Sequence, residues 1–413
     1  MADQFRARLL ALKLITIAIS LMVALGLMET ALRIDPGLIG IAALSRFESH
    51  MRGEIAARLG LPTMETVIRI TPDMRTDGGQ PILLPGANSL TVTFADAADL
   101  ALGAVQNVQV DQNGFCNDQT EAIESRADIL VAGDSFTYCT AVTAADTASH
   151  RLQELSGLRT YNLGIRGTGP YEYLEMLKRH APAFHPRVAV MNIYEGNDLR
   201  DVIRSKLYMT TKKSRRHDDY GGQPAWSYAV QFIKANAELL VKKAKLLLFE
   251  RGDHNFRYSA MAGGQRIAMN VTNGDQDEVD NALQLQDGKV SLDEFAEPLS
   301  AFIQWANSSG IRPIVTYIPS MYTAYGETVE FEDSEVGAAV QGMSAAQRQW
   351  FAAHTAALKV PFIDITPAFQ RAAAAGTVTH FPANVHLTPH GQEIVAEGLL
   401  SLLREMQIMP AGN

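Results

Sequence analysis

Ile129-Leu130-Val131-Ala132-Gly133-Asp134-Ser135-Phe136-Thr137-Tyr138 is an apolar run that breaks at Gly-Asp-Ser and passes into a helix-like segment. This is how a strand delivers a serine to the rim of a parallel sheet. A strand, a tight glycine turn and a helix N-terminus leave backbone N–H groups at the turn, which favour an anion or a developing oxyanion. A nucleophilic serine is well placed there. On these residues alone, Asp134 or Ser135 serves equally well as a helix cap.

Outward from this stretch the rhythm is strand, then helix. Strands are predicted at 128–132, 160–163, 187–194, 313–318 and 361–365, and helices at about 143–157, 170–181, 291–309, 336–357 and 391–406. Continuous apolar strands alternating with amphipathic helices predict a three-layer α/β/α domain over 128–408 with a mainly parallel, flavodoxin-like sheet. In such sheets the site lies beyond the carboxyl ends of the strands. Polar or Gly-rich segments do follow several strands: Gly133-Asp134-Ser135, Asn162 to Gly169, and Glu195-Gly196-Asn197-Asp198. Asn384-Val385-His386-Leu387-Thr388-Pro389 precedes the last helix.

The chain has 413 residues, a formal charge of −9 and 20% charged residues, with no basic stripe, which argues against a nucleic-acid partner. Arg6, Arg8 and Lys13 precede an uncharged run from Leu14 to Met28. Counted from Leu9, with Lys13 reaching back to the headgroups, the segment is about 20 residues, enough for one bilayer crossing. Residues 1–33 are therefore expected to form a membrane anchor with its basic end in the cytoplasm. A cleaved signal with Ala24-Leu25-Gly26 as its site is the competing reading.

Residues 34–127 are expected to hold a helical connector, with Ile41, Leu44, Phe47, Met51 and Ile55 at helical spacing, and then a small strand-rich lead-in that includes Val67–Ile70 and Leu90–Phe94. A helical insertion is expected at about 201–290. It opens with the basic residues Lys212, Lys213, Arg215 and Arg216. A helix over 226–249 then places Phe232, Ile233, Ala237, Leu240, Val241, Ala244 and Leu248 on one face, with Lys234, Lys242 and Lys245 off it. That face either packs on the domain or rests on a membrane or substrate entrance. Residues 250–290 carry no readable pattern. No metal-ligand spacing or phosphate loop occurs, His217-Asp218-Asp219 reads as a solvated loop, and no cofactor is expected.

Taken together, Gly133-Asp134-Ser135, Gly167, Gly196-Asn197-Asp198 and His386 resemble the four sequence blocks of the SGNH (GDSL-like) hydrolases, in the same order. With the N-terminal anchor and Glu29-Thr30-Ala31-Leu32-Arg33, the chain looks most like the membrane-anchored members associated with bacterial cell-surface polysaccharides. The resemblance implies a periplasmic, single-pass inner-membrane esterase without a cofactor. Ser135 would be the nucleophile and His386 the base. The backbone of Ser135 and Gly167 and the Asn197 amide would form the oxyanion hole, with Asp134 and Asp198 in support. The substrate implied is an acyl ester, foremost an O-acetyl group on a glycan, with a membrane-bound polysaccharide-modification protein as partner. An O-acyltransferase or a non-catalytic glycan-binding protein are the alternatives.

Two departures from the family stand out. Members usually carry an aspartate two or three residues before the histidine, where this chain has Asn384 and Ala383. Either Asn384 suffices to orient His386, or a backbone carbonyl or another acid such as Asp364 substitutes, or activity is lost. The second departure is Cys139 where glycine is usual, together with Cys116; the two would form a disulfide in an oxidising compartment or remain separate buried thiols.

Overall fold

The computed structural model describes residues 2–44, 46–61, 90–93, 95, 97–118, 126–211, 227–250, 258–262, 264–269 and 275–408. The expected strand at Val67–Ile70, the basic cluster at 212–216 and His217-Asp218-Asp219 lie outside these. The chain divides into two compact units, one of Met1–Met64 with His217–Ala244, the other of Glu65–Arg216 with Lys245–Asn413.

The larger unit is built on a five-stranded sheet. In chain order the strands of this unit are β1 (Leu90–Val92), β2 (Asn107–Gln109), β3 (Ile129–Ala132), β4 (Thr160–Asn162), β5 (Val188–Tyr194), β6 (Tyr258–Ala262), β7 (Gln265–Met269), β8 (Arg312–Ile318), β9 (Glu330–Phe331) and β10 (Phe362–Asp364). The central sheet has the order β4-β3-β5-β8-β10, and each pairing in it is parallel. Alternate side chains explain the layering. Ile129, Val131, Val188 and Val190 enter one core with helices Ala148–Ser156 and Pro389–Glu405, whereas Leu130, Ala132, Ala189 and Met191 enter a second with helices Pro170–Phe184 and Ala296–Ser308. Strands buried on both faces need no polar alternation, which is why β3 reads as a continuous apolar run. The order reverses direction between β3 and β5, and such a switch point opens a crevice at the carboxyl edge.

The lead-in contributes the antiparallel pair β1–β2 and a disulfide, Cys116–Cys139, with Cα atoms 5.8 Å apart, which ties it to the segment after Ser135.

The insertion differs from expectation. Its first helix, Asp198–Thr211, starts before residue 201 because it grows directly from the end of β5. The unreadable stretch holds the hairpin β6–β7, which pairs with β9, and a helix at Asp275–Gln286; the insertion is thus not purely helical. Short strands and a polar helix give too weak a periodicity to read.

In the smaller unit the N-terminal helix is Ala2–Ile34. The connector breaks into a 3-10 turn at Pro36–Ile39 and helices at Ile41–Leu44 and Ser49–Arg58, since Pro36 and the left-handed Gly40 (φ 71°) interrupt it. Leu44, Phe47, Met51 and Ile55 are buried, as their spacing implies. In helix Tyr228–Glu250, Tyr228, Ala229, Gln231 and Ala235 are buried, while Ile233, Leu240 and Val241 are exposed.

Candidate active site

The carboxyl edge of the sheet is closed except at a few side chains. Between Ile129 and Val142, Ser135 alone is not buried; between Val188 and Leu199 only Asn197 is partly accessible; between Thr379 and Thr388 only His386 is. In the segment after β4 the accessible pair is Arg166 and Gly167. Because β4, β3 and β5 are adjacent, the segments after them share one edge.

Two glycines allow these segments to abut. A Cβ on Gly133 would collide with Thr137 Oγ1, and one on Gly164 would lie 2.7 Å from the Tyr138 backbone nitrogen. Asn162 fixes the second approach: its Nδ2 donates to the Thr137 carbonyl at 2.7 Å and its Oδ1 accepts from Gly164 N–H at 2.8 Å. Gly167 adopts φ 71° at the turn, a left-handed conformation that glycine tolerates without strain.

His386 Nε2 lies 2.9 Å from Ser135 Oγ. On the other side of the ring, Nδ1 is 2.8 Å from Asn384 Oδ1 and 2.9 Å from the Asn384 backbone carbonyl. Two acceptor oxygens at Nδ1 place the proton there and leave Nε2 as the acceptor for the serine proton, the arrangement a general base requires. Residue 384 thus holds the ring through both its side chain and its backbone. Asp364 does not: its carboxylate pairs with Arg348 Nε at 2.6 Å and accepts from Thr366 N–H at 2.9 Å, which commits it to the start of helix Thr366–Ala374. Between Asn384 and His386, Val385 has φ 65°. A β-branched residue there stores of the order of 1–3 kcal/mol of strain. The Phe381 carbonyl accepts from Val385 N–H at 2.7 Å and the His386 carbonyl from Phe381 N–H at 2.8 Å, which hold this turn.

The remaining acids are buried and serve the framework. Asp134 accepts from Phe136 N–H at 2.8 Å and lies 3.4 Å from the Ser135 hydroxyl; burial and then the charge of Asp201 push its carboxyl up to about 7. Asp198 accepts from the Tyr173 hydroxyl at 2.6 Å and Tyr194 N–H at 3.0 Å, and burial followed by the charge of Asp134 raises it well above the carboxylate range. Glu195 is enclosed by hydroxyls of Tyr317, Ser320, Thr323 and Ser344.

Three residues that the sequence motifs do not single out shape the site. Phe136 stacks on Tyr194 at 3.5 Å and on the His386 ring at 4.7 Å, so the residue after Ser135 also backs the imidazole. Asp201, fully buried, accepts from Asn197 Nδ2 at 3.3 Å. Arg204 pairs with the other oxygen of Asp201 at 2.7 Å and donates to the Gly167 carbonyl at 3.2 Å. One ion pair therefore braces both Asn197 and Gly167. The available signal is helical spacing: Asn197, Asp201 and Arg204 recur at four and three residues on one helix face. Among the described residues no cluster of His, Cys, Asp and Glu is arranged to hold a metal.

The serine lies after the first strand of the parallel sheet and the histidine before the last helix. No family model matches the sequence, and no curated protein matches it. Solved structures do align with it. A lipolytic protein of the G-D-S-L family from Desulfitobacterium hafniense is 12% identical, with 67% of this chain and 99% of that one covered and a TM-score of 0.36. A catalytic mutant of Axe2, an acetylxylan esterase from Geobacillus stearothermophilus, is 14% identical over 68% of this chain and 95% of that one, with a TM-score of 0.35. A GDSL-like lipase from Bacteroides thetaiotaomicron is 12% identical over 67% and 88%, with a TM-score of 0.32.

Proposed function

We propose that this protein is a serine-dependent acyl-ester hydrolase, acting on acyl groups, foremost O-acetyl groups, carried by a cell-surface glycan. The observation that carries the reading is the contact of Ser135 Oγ with His386 Nε2 at 2.9 Å on a ring whose Nδ1 faces two acceptor oxygens. In the first half-reaction Ser135 Oγ bonds to the ester carbonyl carbon while Nε2 takes its proton. The tetrahedral intermediate then expels the alcohol, which leaves with that proton. Water, deprotonated by the same Nε2, attacks the acyl-serine and releases the acid. The negative oxygen of each intermediate is assigned to the backbone N–H groups of Ser135 and Gly167 and to Nδ2 of Asn197, each such donor being worth about 3–4 kcal/mol.

The N-terminal helix anchors the chain in the bacterial inner membrane as a single span, with the catalytic domain in the periplasm. This is supported by the candidate span Leu12–Ile34, whose most apolar stretch has mean hydropathy 2.0 and is not buried, and by the basic residues before it.

Turnover of p-nitrophenyl acetate by the full chain, against Ser135→Ala and His386→Ala, tests the chemistry. Equal inertness of all three proteins would remove it. Release of acetate from an O-acetylated polysaccharide tests the substrate, and carbonate extraction tests the anchor.

A further inference from the structure

Helix Tyr228–Glu250 has two apolar aspects and uses only one of them within its own unit. Tyr228, Gln231 and Ala235 are buried and lie on one side. With successive residues turning by about 100°, Val230, Ile233, Ala237, Leu240, Val241 and Ala244 fall within an arc of roughly 100° on the opposite side. All six are exposed; the four larger ones have 54%, 46%, 66% and 56% of their surface open (Val230, Ile233, Leu240 and Val241). A contiguous apolar stripe on a helix that already packs by its other face marks an interaction surface.

The start of the helix is tied to the end of the N-terminal helix. Glu29, which ends the uncharged run, accepts from the Ser227 hydroxyl at 2.9 Å and from Ala229 N–H at 2.8 Å. The Arg33 guanidinium lies 4.6 Å from the centre of the Tyr228 ring, and the Tyr228 hydroxyl donates to Glu54 at 3.0 Å. The stripe therefore begins where the candidate span leaves the bilayer. Lys234 is exposed along one edge of it, placed to reach lipid headgroups while the apolar side chains enter the acyl boundary.

We infer that the exposed stripe of helix Tyr228–Glu250 lies on the bilayer surface, as an interfacial helix beside the anchor; this rests on the reading of Leu12–Ile34 as a membrane span. Its occupant is the lipid boundary, and it holds the polypeptide to the membrane at a second place beyond the span itself.

The test uses the full chain in vesicles of phosphatidylethanolamine and phosphatidylglycerol, with an environment-sensitive fluorophore on single introduced cysteines. The two native cysteines are bonded to each other and leave no competing thiol. Fluorophores at Ile233→Cys and Leu240→Cys are expected to shift to the blue and to be quenched by lipids with brominated acyl chains. One at Glu238→Cys, off the stripe where Glu238 pairs with Arg46, is expected to do neither. A blue shift without quenching means that protein covers the stripe, either the catalytic unit or a second copy, and overturns the inference. Water-like emission at both stripe positions overturns it as well. A fluorophore at Leu21→Cys reports the span separately: quenching there without quenching at residues 233 and 240 removes the interfacial helix and leaves the anchor standing.

Discussion

Replacing Asn384 by Asp restores the acid that the family resemblance leads one to expect, and the contacts around His386 determine its effect. Asn384 Oδ1 sits 2.8 Å from His386 Nδ1. At an effective dielectric of about 20, unit charges at that separation attract by about 6 kcal/mol. The new carboxylate is itself costly to bury, and close ion pairs of this kind shift a partner by about 1–3 pK units. In serine proteases the reverse exchange lowers turnover by about 10⁴, in large part through the wrong tautomer. Here the Asn384 backbone carbonyl, 2.9 Å from Nδ1, already fixes the tautomer. Only the charge is missing, so the expected gain in kcat is about 10- to 100-fold, with the shift in pK taken from the lower part of its range. On the proposal that neutral His386 is the base, raising its pK moves the acid limb of kcat/KM to higher pH by about 1–2 units. The assay is the pH profile of p-nitrophenyl acetate hydrolysis by wild type and Asn384→Asp. An unmoved limb with unchanged plateau would refute the assignment of residue 384 as the orienting group.

Four further outcomes rest on the same contacts and their neighbours. Asp201→Asn keeps the volume but removes the charge that holds Arg204 and leaves one acceptor oxygen where Arg204 and Asn197 each use one, so kcat should fall about 10- to 100-fold with KM little changed, and affinity for a tetrahedral boronic acid should fall in parallel. Gly164→Ala forces a Cβ to within 2.7 Å of the Tyr138 nitrogen and should lower both Tm and kcat, whereas Gly342→Ala, with open space around it, should leave both unchanged. Reduction of Cys116–Cys139, a separation of 23 residues, should lower stability by about 3 kcal/mol in denaturant melts. Burial raises both Asp134 and Glu172 to about 7, above their values of about 4 in the unfolded chain. The native state therefore binds more protons between pH 4 and 7, so their contribution is full at the acid end and is lost as pH rises through 7. Asp134→Asn should flatten that slope in urea titrations at pH 5 and pH 7.5.

The sheet is legible because its central strands β3 and β5 are buried on both faces, and the switch point between them brings Ser135 and Asn197 to one edge. Ser135 and His386 stand out in the sequence through local motifs, since a glycine turn and a capped helix leave recognisable spacing. The support for them does not. Phe136 reads as an ordinary core residue until the ring stack with His386 is seen, and Asp201 looked like the start of an insertion although it is an acid buried one helical turn beyond Asn197. For Asp364, one of the alternatives for orienting His386, the sequence says nothing of Arg348, which holds it. The stripe on helix Tyr228–Glu250 was visible as a periodicity, but periodicity does not tell which of two faces a helix buries.

The central claim is that Ser135 forms a covalent acyl intermediate with His386 as its base. Its most direct test is intact-protein mass spectrometry after treatment with a fluorophosphonate. The expected result is one adduct per chain, mapped to Ser135, absent in Ser135→Ala and slowed by about 10³-fold or more in His386→Ala. Labelling at another residue, or labelling of Ser135 at the same rate without His386, would contradict it.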